Sequence, residues 1–123
     1  MTGIREPIAL VVDDDARRRH QVWACWSDDD DAPAHAVFWR TSDGRIVLKG
    51  LVANARFRGR AMLRWIGRRY GLPIHVVEVI PSAVGFWNRM RQEGTIVGWE
   101  ASDGYASPLE RLAVAPGRTR RAA

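Results

Sequence analysis

The chain has 123 residues, 46% of them apolar, a net charge of +5 and a single cysteine. That length fits one domain with a real hydrophobic core. No apolar run approaches the ~18–20 residues needed to span a bilayer, and Cys25 alone excludes an internal disulfide or a multi-cysteine zinc site. Met1 to Pro7 has no charged head followed by an apolar stretch, so no secretory signal is expected and a reducing, cytoplasmic location fits. The charge is unevenly placed. Residues 1–50 carry seven Lys/Arg against nine Asp/Glu, and residues 51–123 carry twelve Arg against five acids. The second half is therefore expected to attract an anion, such as a phosphorylated cofactor, a nucleic acid or an acidic protein.

In chain order, residues 8–12 predict a short buried strand. Asp13 to Arg19 offers three Asp-to-Arg pairs at i,i+4 and predicts one exposed helical turn. Residues 20–26 alternate, with Val22, Ala24 and Trp26 on one face and Trp23 and Cys25 on the other, which predicts a strand. Ser27 to Pro33, with four consecutive aspartates, predicts a solvated loop. Residues 36–41 and 45–53 predict a hairpin turned at Asp43-Gly44. From Arg60 to Tyr70 the period becomes helical: Met62, Leu63, Ile66 and Tyr70 share an apolar face, while Arg60, Arg64 and Arg68 share a polar one. Gly71 and Pro73 end that helix. Residues 74–80 predict a strand buried on both faces, as in a parallel pair. Ser82 is expected to cap a helix whose apolar stripe is Ala83, Phe86, Trp87 and Met90, closed by Gly94. A last strand is expected at 95–99, a turn at Asp103-Gly104 and a basic tail from Pro116 to Ala123. The expected architecture is an α/β or α+β fold: a mixed, mostly antiparallel sheet with a β-α-β-α-β C-terminal half.

The stretch Arg56-Phe57-Arg58-Gly59-Arg60-Ala61, between a strand and a helix, is the most informative segment. Cations at a helix N-terminus oppose the macrodipole by ~0.3–1 kcal/mol each. Arg60–Arg64 and Arg64–Arg68 are like-charge pairs one turn apart. No acid lies between Leu51 and Ile74 in sequence. A bound polyanion would reverse these signs, and Gly59 would let the backbone approach it.

At these residues the chain resembles the GCN5-related N-acetyltransferase (GNAT) family, whose pyrophosphate loop reads Gln/Arg-x-x-Gly-x-Gly/Ala. Arg56 to Ala61 satisfies that pattern. A second register sets Phe57-Arg58-Gly59-Arg60-Ala61 on the aromatic-Arg-Gly-x-Gly run, with Leu63 where a second glycine is usual. Glu78 to Ala83 followed by Phe86 to Met90 is similar to the family's strand–helix passage. About 55 residues, 46–99, carry the likeness within a GNAT-like domain expected over residues 1–115. The resemblance implies acetyl-CoA as cofactor and acyl transfer to an amine. It implies backbone at Leu51, Val52 and Ala53 for the acetyl carbonyl, and Arg56, Arg58, Gly59, Arg60, Ala61 and Met62 at the pyrophosphate. Arg64 or Arg68 would reach the 3′-phosphate, and a half-buried Glu78 would act as base. Trp87 stands where the family often has a tyrosine that protonates the departing thiolate, leaving that role to Tyr105, Tyr70 or water. The family's N-terminal substrate-binding helices have no counterpart, so a second subunit is open as the completion of the acceptor pocket.

Two other functions fit the same residues. The arginines of the 60–70 helix, Arg89, Arg91 and the tail suit a nucleic-acid-directed protein. Trp87 suits an interaction module without catalysis. The aspartate runs lack the spacing of a calcium loop, and His20, His35 and His75 lack metal-ligand spacing; no metal and no membrane contact are expected. Trp65, near the arginine face, is expected to stack on a ring or cover a partner.

Overall fold

A computed structural model of the chain describes residues 5–14 and 20–101. Six strands form one sheet in sequence order: β1 (Ala9–Asp14), β2 (His20–Ser27), β3 (Ala34–Arg40), β4 (Ile46–Val52), β5 (Ile74–Val79) and β6 (Gly98–Ala101). The first four are an antiparallel meander. β4–β5 and β5–β6 are parallel, joined by α1 (Gly59–Tyr70) and by a 3-10 turn (Pro81–Ala83) leading into α2 (Val84–Gln92). The result is a mixed, open, six-stranded sheet with two helices, an α+β fold. Among the described residues no helix is long and apolar enough to cross a membrane.

Alternation sets the core. Val22, Ala24, Ala36, Phe38, Leu48, Ile74 and Val76 pack with Met62, Leu63 and Ile66 of α1 and Trp87 and Met90 of α2 in one contiguous cluster. Trp65 belongs to it: its ring is buried edge-on against Trp26 at 5.5 Å. The expected outward stacking role is therefore wrong. An indole on a two-layer helix buries more apolar surface inward than a ligand could offer outward.

The boundaries differ in three informative places. Asp13 and Asp14 extend β1, paired with Gln21 and His20, so the helical turn expected from Asp13 does not start there; residues 15–19 lie outside the described set. Ladder pairing outweighs an isolated i,i+4 turn, which costs a nucleus for few bonds. Ser82 does not cap α2: the residue before that helix is Ala83, with no side-chain cap. Pro81 starts a 3-10 turn in which Ala83 N–H donates to the Ile80 carbonyl at 3.0 Å. The last strand begins at Gly98 because Thr95 and Ile96 donate back to the Met90 carbonyl. Gly94 (φ 80) and Gly71 (φ 65) close the two helices in the left-handed region. The turn expected at Asp103-Gly104 and the tail lie beyond Ala101.

The β3–β4 turn is pinned by Asp43, whose carboxylate accepts from the Thr41 hydroxyl and from Arg45 Nε at 3.2 Å. The Thr41 bond first, then Arg45, hold its pKa below the usual carboxylate value.

Two bulges shape the parallel half. Val37 pairs with Gly50 but Phe38 with Leu48, so Lys49 is an extra residue in β4. In β5, Val76 pairs with Trp99 and Val79 with Ala101, so Val77 and Glu78 together face Glu100. Glu78 takes the strain with φ 60, the only non-glycine in the left-handed region among the described residues. Glu78→Gly should therefore raise stability by roughly 0.5–1 kcal/mol, read by urea denaturation; an unchanged or lower midpoint would mean the bulge costs Glu78 nothing.

Candidate functional site

Parallel strands place the C-terminal ends of β4 and β5 and the starts of α1 and α2 at one end of the sheet. The two strands pair only through Ile46↔Ile74, Val47↔His75 and Leu48↔Val76. Beyond Leu48 no ladder joins them, although β4 runs to Val52 and β5 to Val79. The Lys49 bulge comes directly after the last pair; a bulge bends its strand and adds twist, which parts the two. β4 stays on β3 through Gly50, Leu51 and Val52. Among the described residues its other side, toward β5, carries no ladder bond.

The chain leaves β4 through a loop held by Asn54. The Asn54 Nδ2 donates to the Ala32 carbonyl at 2.6 Å, and its Oδ1 accepts from the amides of Arg56 (2.9 Å) and Phe57 (2.7 Å). One side chain thus ties the loop to the β2–β3 connection and fixes the direction in which α1 starts. Sequence reasoning missed Asn54. The available signal was an asparagine at the end of a strand, two and three residues before the amides it accepts from.

α1 begins without a cap. Arg58 is the extended N-cap residue and makes no side-chain cap bond, and there is no acid in the first turn. The first helical bond is Met62 N–H to the Arg58 carbonyl at 3.1 Å. The amides of Arg58, Gly59, Arg60 and Ala61 therefore carry no hydrogen bond among the described residues. Arg58, Gly59 and Arg60 line a cleft of about 420 Å³ together with Ala53, Asn54, Phe86 and Arg89, among others; Ala61 does not line it. Arg58 and Arg89 make no ion pair there among the described residues.

Several expected residues meet in this cleft: Ala53, Arg58, Gly59 and Arg60 line it. Others do not. Met62 is fully buried in the core, and its amide is engaged by the helix. Leu51 is half-buried, pairs with Ala36 and packs on Gly59; Val52 is exposed and pairs with His35. Arg56 lies over the Phe57 ring at 5.4 Å and borders a separate cavity of about 470 Å³ with Trp26 and Asp28. That cavity is the larger, but none of the unbonded helix amides opens into it. Arg64 and Arg68 line a shallow groove of about 390 Å³ farther along α1. Glu78 is exposed rather than half-buried, so the burial expected to suit it as a base is absent. Tyr105 lies outside the described residues.

The charge pattern is also corrected. Glu93, at the end of α2, meets Arg60 Nε at 2.9 Å and Arg64 Nη2 at 3.6 Å. The acid missing locally in sequence arrives through the fold and relieves the Arg60–Arg64 repulsion. Trp87 is buried, its ring 4.8 Å from Phe86. Tyr70 packs edge-on against Phe38 and Trp65 at the far end of α1, about 16 Å from Gly59 by helical rise. Away from the cleft, His75 Nε2 lies 3.0 Å from Glu100 Oε2. Cys25 is buried; burial first, and the Asp28 carboxylate second, push its thiol pKa up.

Gly59 answers to packing. A Cβ there would stand 2.9 Å from Phe86 Cζ and 3.2 Å from Leu51 Cδ2. The expectation that the missing Cβ makes room for a phosphate is therefore corrected: its place is taken by Phe86 of α2 and Leu51 of β4, and Gly59 itself is buried. Comparison with family models, with curated proteins and with solved structures gives no match.

Gly59→Ala should cost roughly 1–3 kcal/mol by overpacking, and Phe86→Leu in the same chain should return part of it. Urea midpoints of the single and double variants check this; equal stability of Gly59→Ala and wild type would remove the packing account.

Proposed function

We propose that the chain is an acyl-CoA-dependent N-acyltransferase, with the cleft at the start of α1 as its diphosphate site. One observation carries the proposal: β4 and β5 part after Leu48 and Val76, at the same sheet end where four amides of the uncapped α1 are unbonded. An open strand edge and an unsatisfied helix N-terminus at one end of a sheet are complementary to an extended ligand carrying a carbonyl and a diphosphate.

The residues present suit such a ligand. The amides of Arg58 to Ala61 are directional donors. Arg58 and Arg89 line the cleft without an ion pair among the described residues, and Arg60 is held in place by Glu93. Arg68, exposed in the groove farther along α1, would be the candidate for a further phosphate, since Arg64 there is drawn to Glu93. When bound, acetyl-CoA supplies an activated thioester. The open side of β4 from Lys49 to Ala53 would orient the acyl carbonyl. The acceptor amine must be neutral to attack, so a proton has to leave it. Glu78, two residues past the last β4–β5 pair, is assigned that proton. Trp87 and Tyr70 are packed away from the cleft, which leaves Tyr105 or water for the departing sulfur.

A thermal shift separates this from the alternatives. Acetyl-CoA at about a hundred times its Kd should stabilise the chain by ~2.7 kcal/mol. Arg58→Ala with Arg89→Ala should weaken binding about tenfold or more, and Arg40→Ala should leave it unchanged. A shift with oligonucleotide alone, falling steeply with salt, would replace the proposal with nucleic-acid binding. No shift with either would leave an interaction module. If transfer is found, full turnover by Glu78→Gln would remove Glu78 as the base.

A further inference from the structure

The sheet has a second face that neither helix covers. The crossovers from β4 to β5 and from β5 to β6 step in one direction, and right-handed connections then put α1 and α2 on the same side. The buried side chains of that side form the core cluster. Three buried apolar residues stand outside it: Cys25, Trp39 and Val47, at 1%, 9% and 8% exposure. Alternation explains why. Cys25 lies between Ala24 and Trp26, Trp39 follows Phe38, and Val47 lies between Ile46 and Leu48. Those neighbours all belong to the core, so the three point the other way. Trp39 and Val47 are cross-strand partners in one row, Gln21–Trp39–Val47–His75–Gly98, running from β2 to β6. Gln21 Oε1, in the same row, is also shut off from water.

A face with no second layer leaves its side chains walled by their neighbours but open above. Cys25, Trp39 and Val47 are buried within the single chain, so their cover is part of that chain. No described element supplies it. Arg5 offers its carbonyl to Trp26 Nε1 at 2.8 Å, on the core side, so residues 1–4 start from the wrong face. Residues 15–19 read Asp-Ala-Arg-Arg-Arg, with no large apolar side chain. What is left is the stretch after Ala101. Ser107-Pro108-Leu109-Glu110 has the sequence of a capping box with proline at the first helical position. Leu109, Leu112 and Ala113 follow at i, i+3 and i+4. We infer that residues 102–115 cross the helix-free face as its second layer, with Leu109 and Leu112 over Trp39 and Val47. The reach is sufficient. From β6 to β3 is three strand spacings, ~14 Å, and six extended residues span up to ~20 Å. The order of side chains also fits. Past Trp39 the row continues through Gln21 to Asp13 of β1, which is exposed, and past Leu112 and Val114 the chain carries Arg118, Arg120 and Arg121. Apolar thus lies on apolar, and basic then follows toward acidic. The inference is independent of the acyltransferase proposal, whose cleft lies on the side of the two helices.

Nuclear magnetic resonance on the full chain tests it. The Trp39 ring protons should show nuclear Overhauser contacts to the methyl groups of Leu109 or Leu112, and these should vanish in Leu109→Ala with Leu112→Ala. In a mixture of isotope-labelled and unlabelled chains, the same contacts should stay within one chain. Leu109→Asp with Leu112→Asp sets two carboxylates against an apolar layer. It should lower Tm by roughly 5 °C or more, while Ala122→Asp, beyond the crossing, should leave Tm unchanged. The absence of any contact between Trp39 and residues 102–115 would overturn the inference. Contacts found only between labelled and unlabelled chains would overturn it too, by making a second copy the cover. An unchanged Tm in the double aspartate variant would do the same. If that variant does not fold, the contacts in the wild type decide.

Discussion

The parting of β4 from β5 is the constraint on which the rest of the molecule depends. One extra residue, Lys49, bends β4 just after its last contact with β5. Had the ladder continued, the backbone from Gly50 to Val52 would be satisfied on both sides. The loop held by Asn54 would then have no opening to border. The bulge converts the end of a parallel pair into an unfilled set of donors and acceptors, and the start of α1 adds four more donors beside it. Buried backbone groups are almost always paired, so a concentration of unpaired ones at a cleft is chemically expectant.

The arginines are best understood in relation to that opening. In sequence they form an uncompensated cluster. In the fold they divide. Arg60 and Arg64 are drawn to Glu93 from α2, Arg56 lies on Phe57, and Arg68 and Arg69 sit in the last turn of α1, where the dipole favours cations. What remains for an anion at the cleft among the described residues is Arg58, just before α1, and Arg89 of α2.

Periodicity made most of the fold legible. The change from period two at residues 20–26 to period 3.6 after Arg60 locates both the meander and the first crossover. The strand expected at 74–80 is there and central, but only Ile74, Val76 and Val79 are buried, so the two-sided burial expected of it does not hold. The bulges were not legible, because neither Lys49 nor Glu78 carries a local signal: each is an ordinary polar residue whose conformation is set by the strands beside it. Glu93 escaped notice for a similar reason, since it compensates charges thirty residues upstream. Within the candidate site, the glycine-containing bend was visible in the chain, but the reason for the glycine was not. Phe86, from the following crossover, is what fills the space its Cβ would need.

Cys25 turns the sheet's interior into something that can be timed. It is the chain's one thiol, shielded in β2, with its ionisation disfavoured by burial and by Asp28. A thiolate-seeking reagent can reach it only when its cover on that sheet face opens, so its alkylation is a clock for local opening around β2. Strand opening there would be counted one molecule at a time, with no label added to the protein beforehand.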